Sequence, residues 1–191
     1  MIIKPHTMLL ETRPLTTEEF NALPRWRKRM LIAQDVLDRL SSGFYIPEHV
    51  YLWYTTDVDT HLSVKDNMDK LDGCRVCAFG ACLVSAISFA NQLTFGDISN
   101  SVQEGYDLMQ SIFSKSQLFL IETAYEANNC GRRQAERSKT GRNLGKLRLF
   151  LNKISFQTYG AYKFGEQIED DTARMRAIMQ NIIVNTGTFI P

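Results

Sequence analysis

Residues 76–93, VCAFGACLVSAISFANQL, are apolar almost all the way round a helix, apart from a narrow row holding Ser85, Ser88 and Gln92. A helix without a polar face has to be surrounded. It falls short of the roughly 20 apolar residues that span a bilayer, so it belongs in the middle of a domain with other elements packed around it. Ala78, Gly80 and Ala81 leave little side-chain bulk on one turn, which lets another backbone come close.

The flanking sequence supplies the surrounding helices. Thr16 and Glu19 have capping-box spacing, and Leu15 with Phe20 has that of a hydrophobic staple. Pro24 ends that short helix or opens the next. From Arg25 to Ser42 the positions Trp26, Met30, Ala33, Val36, Leu37 and Leu40 form an apolar stripe, with Gly43 as the stop. Further helices are expected near 102–113, near 115–128 (opened by Ser114 with Gln117), and over 170–186. In the last, Glu169, Asp170 and Asp171 suit the positive end, and Gly187 marks the stop. Met175, Ile178, Met179, Ile182 and Ile183 form its buried stripe. Residues 142–159 carry both periods, Leu144, Leu147, Leu151 and Ile154 helical and Ile154, Phe156 and Thr158 alternating. Helix is expected up to about Lys153, with the rest open.

Val50 to Thr56 is dense in β-branched and aromatic residues and predicts a strand, with Pro47 near its start or on an edge. The chain is therefore expected to be mainly α (α+β), a compact helical domain with a small β element near residues 49–56. Its 191 residues suit a single domain, with a basic mobile segment at about 130–143.

Glu11 and Arg13 come too early for a secretory leader. Four cysteines, at 74, 77, 82 and 130, are too few for a disulfide-stapled scaffold of this length. A cytoplasmic location with free thiols and no membrane segment is the expectation.

CRVCAFGAC invites two sharper readings. Cys74 and Cys77 have the spacing of a zinc knuckle, but no second pair follows. Cys77 and Cys82 lie five residues apart, about 140° around a helix, so one ion does not easily take both. Cys77 as a nucleophile at a helix start needs a base. The only histidines, 6, 49 and 61, all precede it, the reverse of the order in papain-like peptidases. Tight packing by small buried thiols is preferred. Asp57, Asp59 and His61 alternate like cation ligands but lack the glycine and terminal glutamate of a calcium loop. Glu122 and Glu126 sit one turn apart, as on a wet helix face. No phosphate-binding or dinucleotide glycine pattern is present, and no cofactor is expected.

Charge is the remaining clue. Residues 131–153 hold eight cationic side chains and one anionic, a net of +7 in a chain whose total is +1, so the rest sums to −6. A single-sign cluster on an acidic body points to an anionic partner; the plainer alternative is a solvated loop that keeps the chain soluble. The candidates are Arg132, Arg133, Arg137, Lys139, Arg142 and Lys146, followed by Arg148 and Lys153. Arg25, Arg27 and Arg29, with Lys28, form a second wall around Trp26. Cations at a helix start oppose its dipole, by about 0.3–1 kcal/mol each when exposed. Guanidinium groups take phosphates or carboxylates in bidentate pairs; Tyr159, Tyr162 and Phe164 are candidates for stacking on bases, with packing in the core the equal alternative.

Three segments, CRVCAFGACLVSA, QLFLIETAYE and RMRAIMQNIIVNTGTFIP, resemble in that order an uncharacterised family of bacteriophage and prophage proteins, over roughly 40 of the 191 residues. No activity comes with the resemblance, so no site residue is carried over. It implies a small cytoplasmic protein of a phage-infected bacterium. The expected function is a non-enzymatic binding protein that inhibits a host defence component, by masking a protein surface or sequestering a phosphorylated nucleotide. The alternatives are a direct nucleic-acid-binding modulator and a cysteine- or zinc-dependent enzyme. A homo-oligomer is also entertained, since Phe119, Met179 and Ile183 exceed what one core needs.

Overall fold

The computed structural model describes residues 15–54, 61, 67, 73–90, 102–128 and 145–191, with the backbone alone for 53–54, 102–104 and 145–155. Helix α1 (Thr17–Ala22) opens on the complete capping box: the Glu19 amide donates to Thr16 Oγ1 at 3.2 Å, and the Thr16 amide to Glu19 Oε2 at 2.9 Å. Pro24 then caps α2 (Arg25–Ser41) without a side-chain bond. Gly43, at φ +79°, ends α2 in a Schellman turn in which the Phe44 amide reaches Arg39 O at 3.0 Å. The buried row of α2 is Ile32, Ala33, Val36 and Leu40. Trp26 lies within about 20° of Ala33 around the helix, yet at the first turn it is 38% exposed, so the expected stripe is not buried at its start.

Three short strands follow: β1 (Tyr45–Pro47), β2 (Leu52–Tyr54) and β3 (Cys74–Val76), in sheet order β1-β3-β2. β1 runs parallel to β3, and β2 antiparallel to it, with Leu52 opposite Val76. The expected strand is β2. Pro47 closes the edge strand β1, where its missing N–H is harmless. The apolar run is divided: Val76 ends the central strand, and the helix, α3 (Ala78–Ala90), begins two residues later. Its side chains are buried except at Ser88 and Phe89, which are half-buried. The backbone approach expected at Gly80 is there. A Cβ on Gly80 would stand 1.8 Å from the Tyr51 carbonyl oxygen.

Helices α4 (Val102–Ile112), α5 (Lys115–Tyr125), α6 (Gly145–Glu166) and α7 (Asp171–Val184) complete the described chain, with one 3-10 turn at Glu126–Asn128. Ser114 caps α5 by accepting the Gln117 amide at 3.2 Å. Gln117 does not return a capping bond. Its side chain instead donates to Phe189 O at 3.2 Å and accepts the Phe189 amide at 2.7 Å, pinning the C-terminal segment. Helix α6 runs unbroken through 154–159, so the helical period prevails over the alternating one. Helix α7 opens on Asp170, which accepts the Ala173 amide at 2.6 Å. It closes in a second Schellman turn whose left-handed residues are Thr186 (φ +53°) and Gly187 (φ +79°). One main cluster of buried side chains runs from Phe20 to Phe189, around α3. Among the described residues no helix is long and apolar enough to cross a membrane.

Arg174, on the first turns of α7, is fully buried. Its Nε donates to Gly165 O (3.1 Å) and Ile168 O (2.9 Å), and Nη2 to Ile168 O (2.6 Å) and Glu169 O (2.9 Å). Nη1 donates to Tyr125 O (3.0 Å) and Asp171 Oδ1 (2.6 Å). One guanidinium thus serves carbonyls at and beyond the C-terminal ends of both α5 and α6. Removing it orphans four buried or half-buried acceptors.

Arg174→Met is expected to lower unfolding free energy by about 3–5 kcal/mol in urea titration. Arg176→Met, whose guanidinium makes a single 3.3 Å bond to Ser41 Oγ, stays within about 0.5 kcal/mol. A loss under about 1 kcal/mol at Arg174 removes its structural role. Gly80→Ala, which in an ordinary helix gains up to about 1 kcal/mol, here costs at least about 1 kcal/mol in the same titration, because the Tyr51 backbone blocks the methyl. A stabilised Gly80→Ala protein disproves the close approach.

Candidate functional site

Of the cationic candidates, Arg132, Arg133, Arg137, Lys139 and Arg142 lie outside the described residues, and Lys146 falls on the first turn of α6, where only backbone is described. Arg25, Arg27 and Arg29 are placed. They occupy the first two turns of α2, whose first turn carries no acidic residue. Arg25 and Arg29 are one turn apart and share a face. Arg25 is exposed, while the Arg29 guanidinium lies 6.0 Å from the Phe113 ring at the end of α4. Arg29 Nε is buried and has no hydrogen-bond partner among the described residues. Burial, and after it the charge of Arg25, pushes the Arg29 pKa down. Among the described residues no carboxylate pairs with Arg25 or Arg29. The other two cations are engaged locally. Arg27 lies 5.4 Å over the ring of Trp26, and Lys28 donates to Asn21 O at 3.0 Å with its ammonium 5.5 Å over Phe20.

The closing turn of α7 abuts this helix start. A Cβ on Gly187 would stand 2.4 Å from the Trp26 carbonyl oxygen, while further along Arg176 reaches Ser41. The two helices therefore run antiparallel, and the negative end of α7's dipole lies beside the cations of α2.

A second group of charges, not foreseen from the sequence, gathers at the other end of α7. His49, in the β1–β2 loop, faces Glu126 Oε2 with Nδ1 at 2.8 Å and Asp171 Oδ2 with Nε2 at 3.3 Å. Glu48 beside it pairs with Arg75 at 2.9 Å, and Tyr125 Oη donates to Glu48 O at 3.1 Å. Glu122 is exposed as expected, yet partial burial of its carboxyl and then the charge of Glu126 raise its pKa. The signal available in the sequence was only the Glu122/Glu126 spacing; His49 and Asp171 are 122 residues apart and nothing local links them.

Both imidazole nitrogens of His49 are turned to carboxylates, so neither is offered to Cys77. The Cys77 thiol lies 3.9 Å from Tyr51 O and accepts the Gly80 amide at 3.5 Å. Burial raises its pKa to about 11, against the lowering by the helix-start amides. Burial raises Cys74 to about 12 and lifts Cys82 further, its Sγ 3.9 Å from Met179 Sδ. These three thiols are free and buried. Among the described residues no group of three His, Cys, Asp or Glu side chains is placed to hold a metal ion. Asp57 and Asp59 lie outside those residues.

Packing decides two further expectations. Met179 is fully buried and Ile183 packs on the core, so neither is surplus apolar surface; Phe119 alone of the three is exposed. Tyr162 is buried with Ala127, Tyr159 packs on that pair, and Phe164 meets Phe189 edge-on at 5.3 Å, which removes them as free stacking platforms. Searches of protein-family models, of curated proteins and of solved structures each found no match.

Raised thiol pKa values predict slow chemistry. At pH 7.5, iodoacetamide is expected to modify Cys74 and Cys77 in the native protein at least about tenfold more slowly than in urea, read by peptide mass spectrometry. Native labelling of Cys77 at the unfolded rate restores it as a candidate nucleophile.

Proposed function

We propose that this protein is a non-enzymatic binding protein whose cationic surface takes an anionic partner. The observation that carries the proposal is the pair Arg25 and Arg29: like charges one turn apart, one of them half-buried, with no neutralising carboxylate among the described residues. An anion seated on both relieves their repulsion, so the free protein stores part of its affinity as unfavourable electrostatics. The +7 segment 131–153 supplies the remaining cations of the proposal. With the resemblance to phage proteins, the partner is a host defence component, either a protein masked on its acidic surface or a phosphorylated nucleotide held out of use. The occupied imidazole of His49 and the high thiol pKa of Cys77 favour this over cysteine catalysis.

Retention on an immobilised polyanion such as heparin tests it. Arg25→Ala/Arg29→Ala, and separately Arg132→Ala/Arg133→Ala/Arg137→Ala/Arg142→Ala, should each elute at clearly lower salt with the thermal midpoint unchanged. Elution at the wild-type salt for both variants rejects the proposal. A gel shift with random duplex DNA at about 50 and 200 mM salt separates the alternative, since retention at the higher salt favours a direct nucleic-acid binder.

A further inference from the structure

We infer that the end of the molecule where α2 begins and α7 closes is a docking surface for an acidic protein segment that seats an apolar side chain against Trp26 and Val184. The inference rests on the anion-binding reading and narrows its partner. Trp26 is 38% and Val184 80% exposed, and the Gly187–Trp26 backbone contact brings the ends of their two helices together. Trp26 shares its helix start with Arg25, Arg27 and Arg29, and Trp and Arg dominate binding energy at interface centres.

Charge complementarity selects the occupant. Arg25 and Arg29 present two guanidinium groups one turn apart, which match carboxylates in bidentate pairs. Nucleic acid is less well suited. Arg27 already lies over the Trp26 ring, competing with a base for that face, and the exposed Val184 gives a phosphate chain nothing to bind. A lone nucleotide leaves Val184 uncovered for the same reason. A protein segment with carboxylates flanking an aliphatic or aromatic side chain uses both the cations and the apolar centre.

The two tryptophans are at 26 and 53, so the full chain carrying Trp53→Phe reports on Trp26 alone. It is titrated with a peptide of about twelve alternating Glu and Leu residues, with its Glu→Gln and Leu→Ser counterparts, with pyrophosphate, and with a single-stranded oligonucleotide of about twenty residues, these lengths being enough to cover one small interface. The Glu–Leu peptide should give a saturable blue shift of Trp26 emission. Its affinity should fall at least about tenfold, on the order of 1.4 kcal/mol, in the Glu→Gln peptide, the Leu→Ser peptide, Arg25→Ala/Arg29→Ala and Val184→Asp. Should Trp53→Phe fold poorly, the wild-type chain and Trp26→Phe give the same assignment by difference. A shift produced by the oligonucleotide or pyrophosphate and not by the peptide overturns the docking inference while leaving the anion-binding reading intact. Concentration-dependent dimerisation of the free chain that Val184→Asp abolishes also overturns it, because the occupant is then a second copy. Absence of any shift, together with unaltered heparin elution of the arginine variants, ends both.

Discussion

The fold turns on one buried cation. Arg174 gathers the carbonyls of Tyr125, Gly165, Ile168 and Glu169 and the carboxylate of Asp171 around a single guanidinium. Helix C-termini leave unpaired carbonyls that must find donors, and here two of them find the same one. That fixes where α5 and α6 end relative to the start of α7. It also orients Asp171, whose second oxygen faces His49, which in turn faces Glu126. The β1–β2 loop is thereby attached to the helical layer, and through Val50 and Tyr51 that loop lies on the start of α3. Placement of the small sheet against the central helix follows from satisfying one arginine.

Arg174 and Arg29 sit near opposite ends of the α2–α7 pair and show what the same group looks like with and without partners. In Arg174 all three nitrogens have partners. In Arg29 the nitrogen that burial has removed from water makes no bond among the described residues, and the charge that shifts its pKa has the same sign. A chain able to arrange five acceptors about one guanidinium has left another half-buried and repelled. Desolvating a charge without a partner is costly, and the proposal of an external anion takes its force from that contrast rather than from the number of cations.

Much of the fold was legible because its signals are local. The all-apolar helix, the Thr16/Glu19 box, the Gly43 stop and the Asp170 cap each depend on residues within one or two turns, and each forms where the spacing puts it. The small residues of AFGA correctly announced a close backbone. What escaped depends on tertiary neighbours. β3 is three residues long and fused to the helix that follows, so its period was absorbed into the apolar run. Gln117 abandons its capping role for Phe189, 72 residues away. Trp26 and Met179 were assigned by hydrophobicity, and packing reversed one and sharpened the other: Trp26 stands at the surface and Met179 touches Cys82 in the core. At the candidate site the cations were legible at once, since charge density is a property of composition. Composition could not say that Arg29 would lie on Phe113 or that α7 would end against α2.

That last contact changes what the cations at the start of α2 mean. Placed at the positive end of an isolated helix, each would cost about 0.3–1 kcal/mol. The antiparallel α7 brings the negative end of its own dipole to the same place, an offset of similar size and opposite sign. The misplaced charges therefore need no ligand on dipole grounds. Two terms survive the cancellation: the repulsion between Arg25 and Arg29, and the dehydration of Arg29 against Phe113. Neither is relieved by a helix dipole, because both arise at the side-chain tips, a turn or more from the backbone amides. Both are relieved by a carboxylate lying between the two guanidinium groups. The functional weight of this surface lies in those two side chains and not in the basic character of the helix start as a whole.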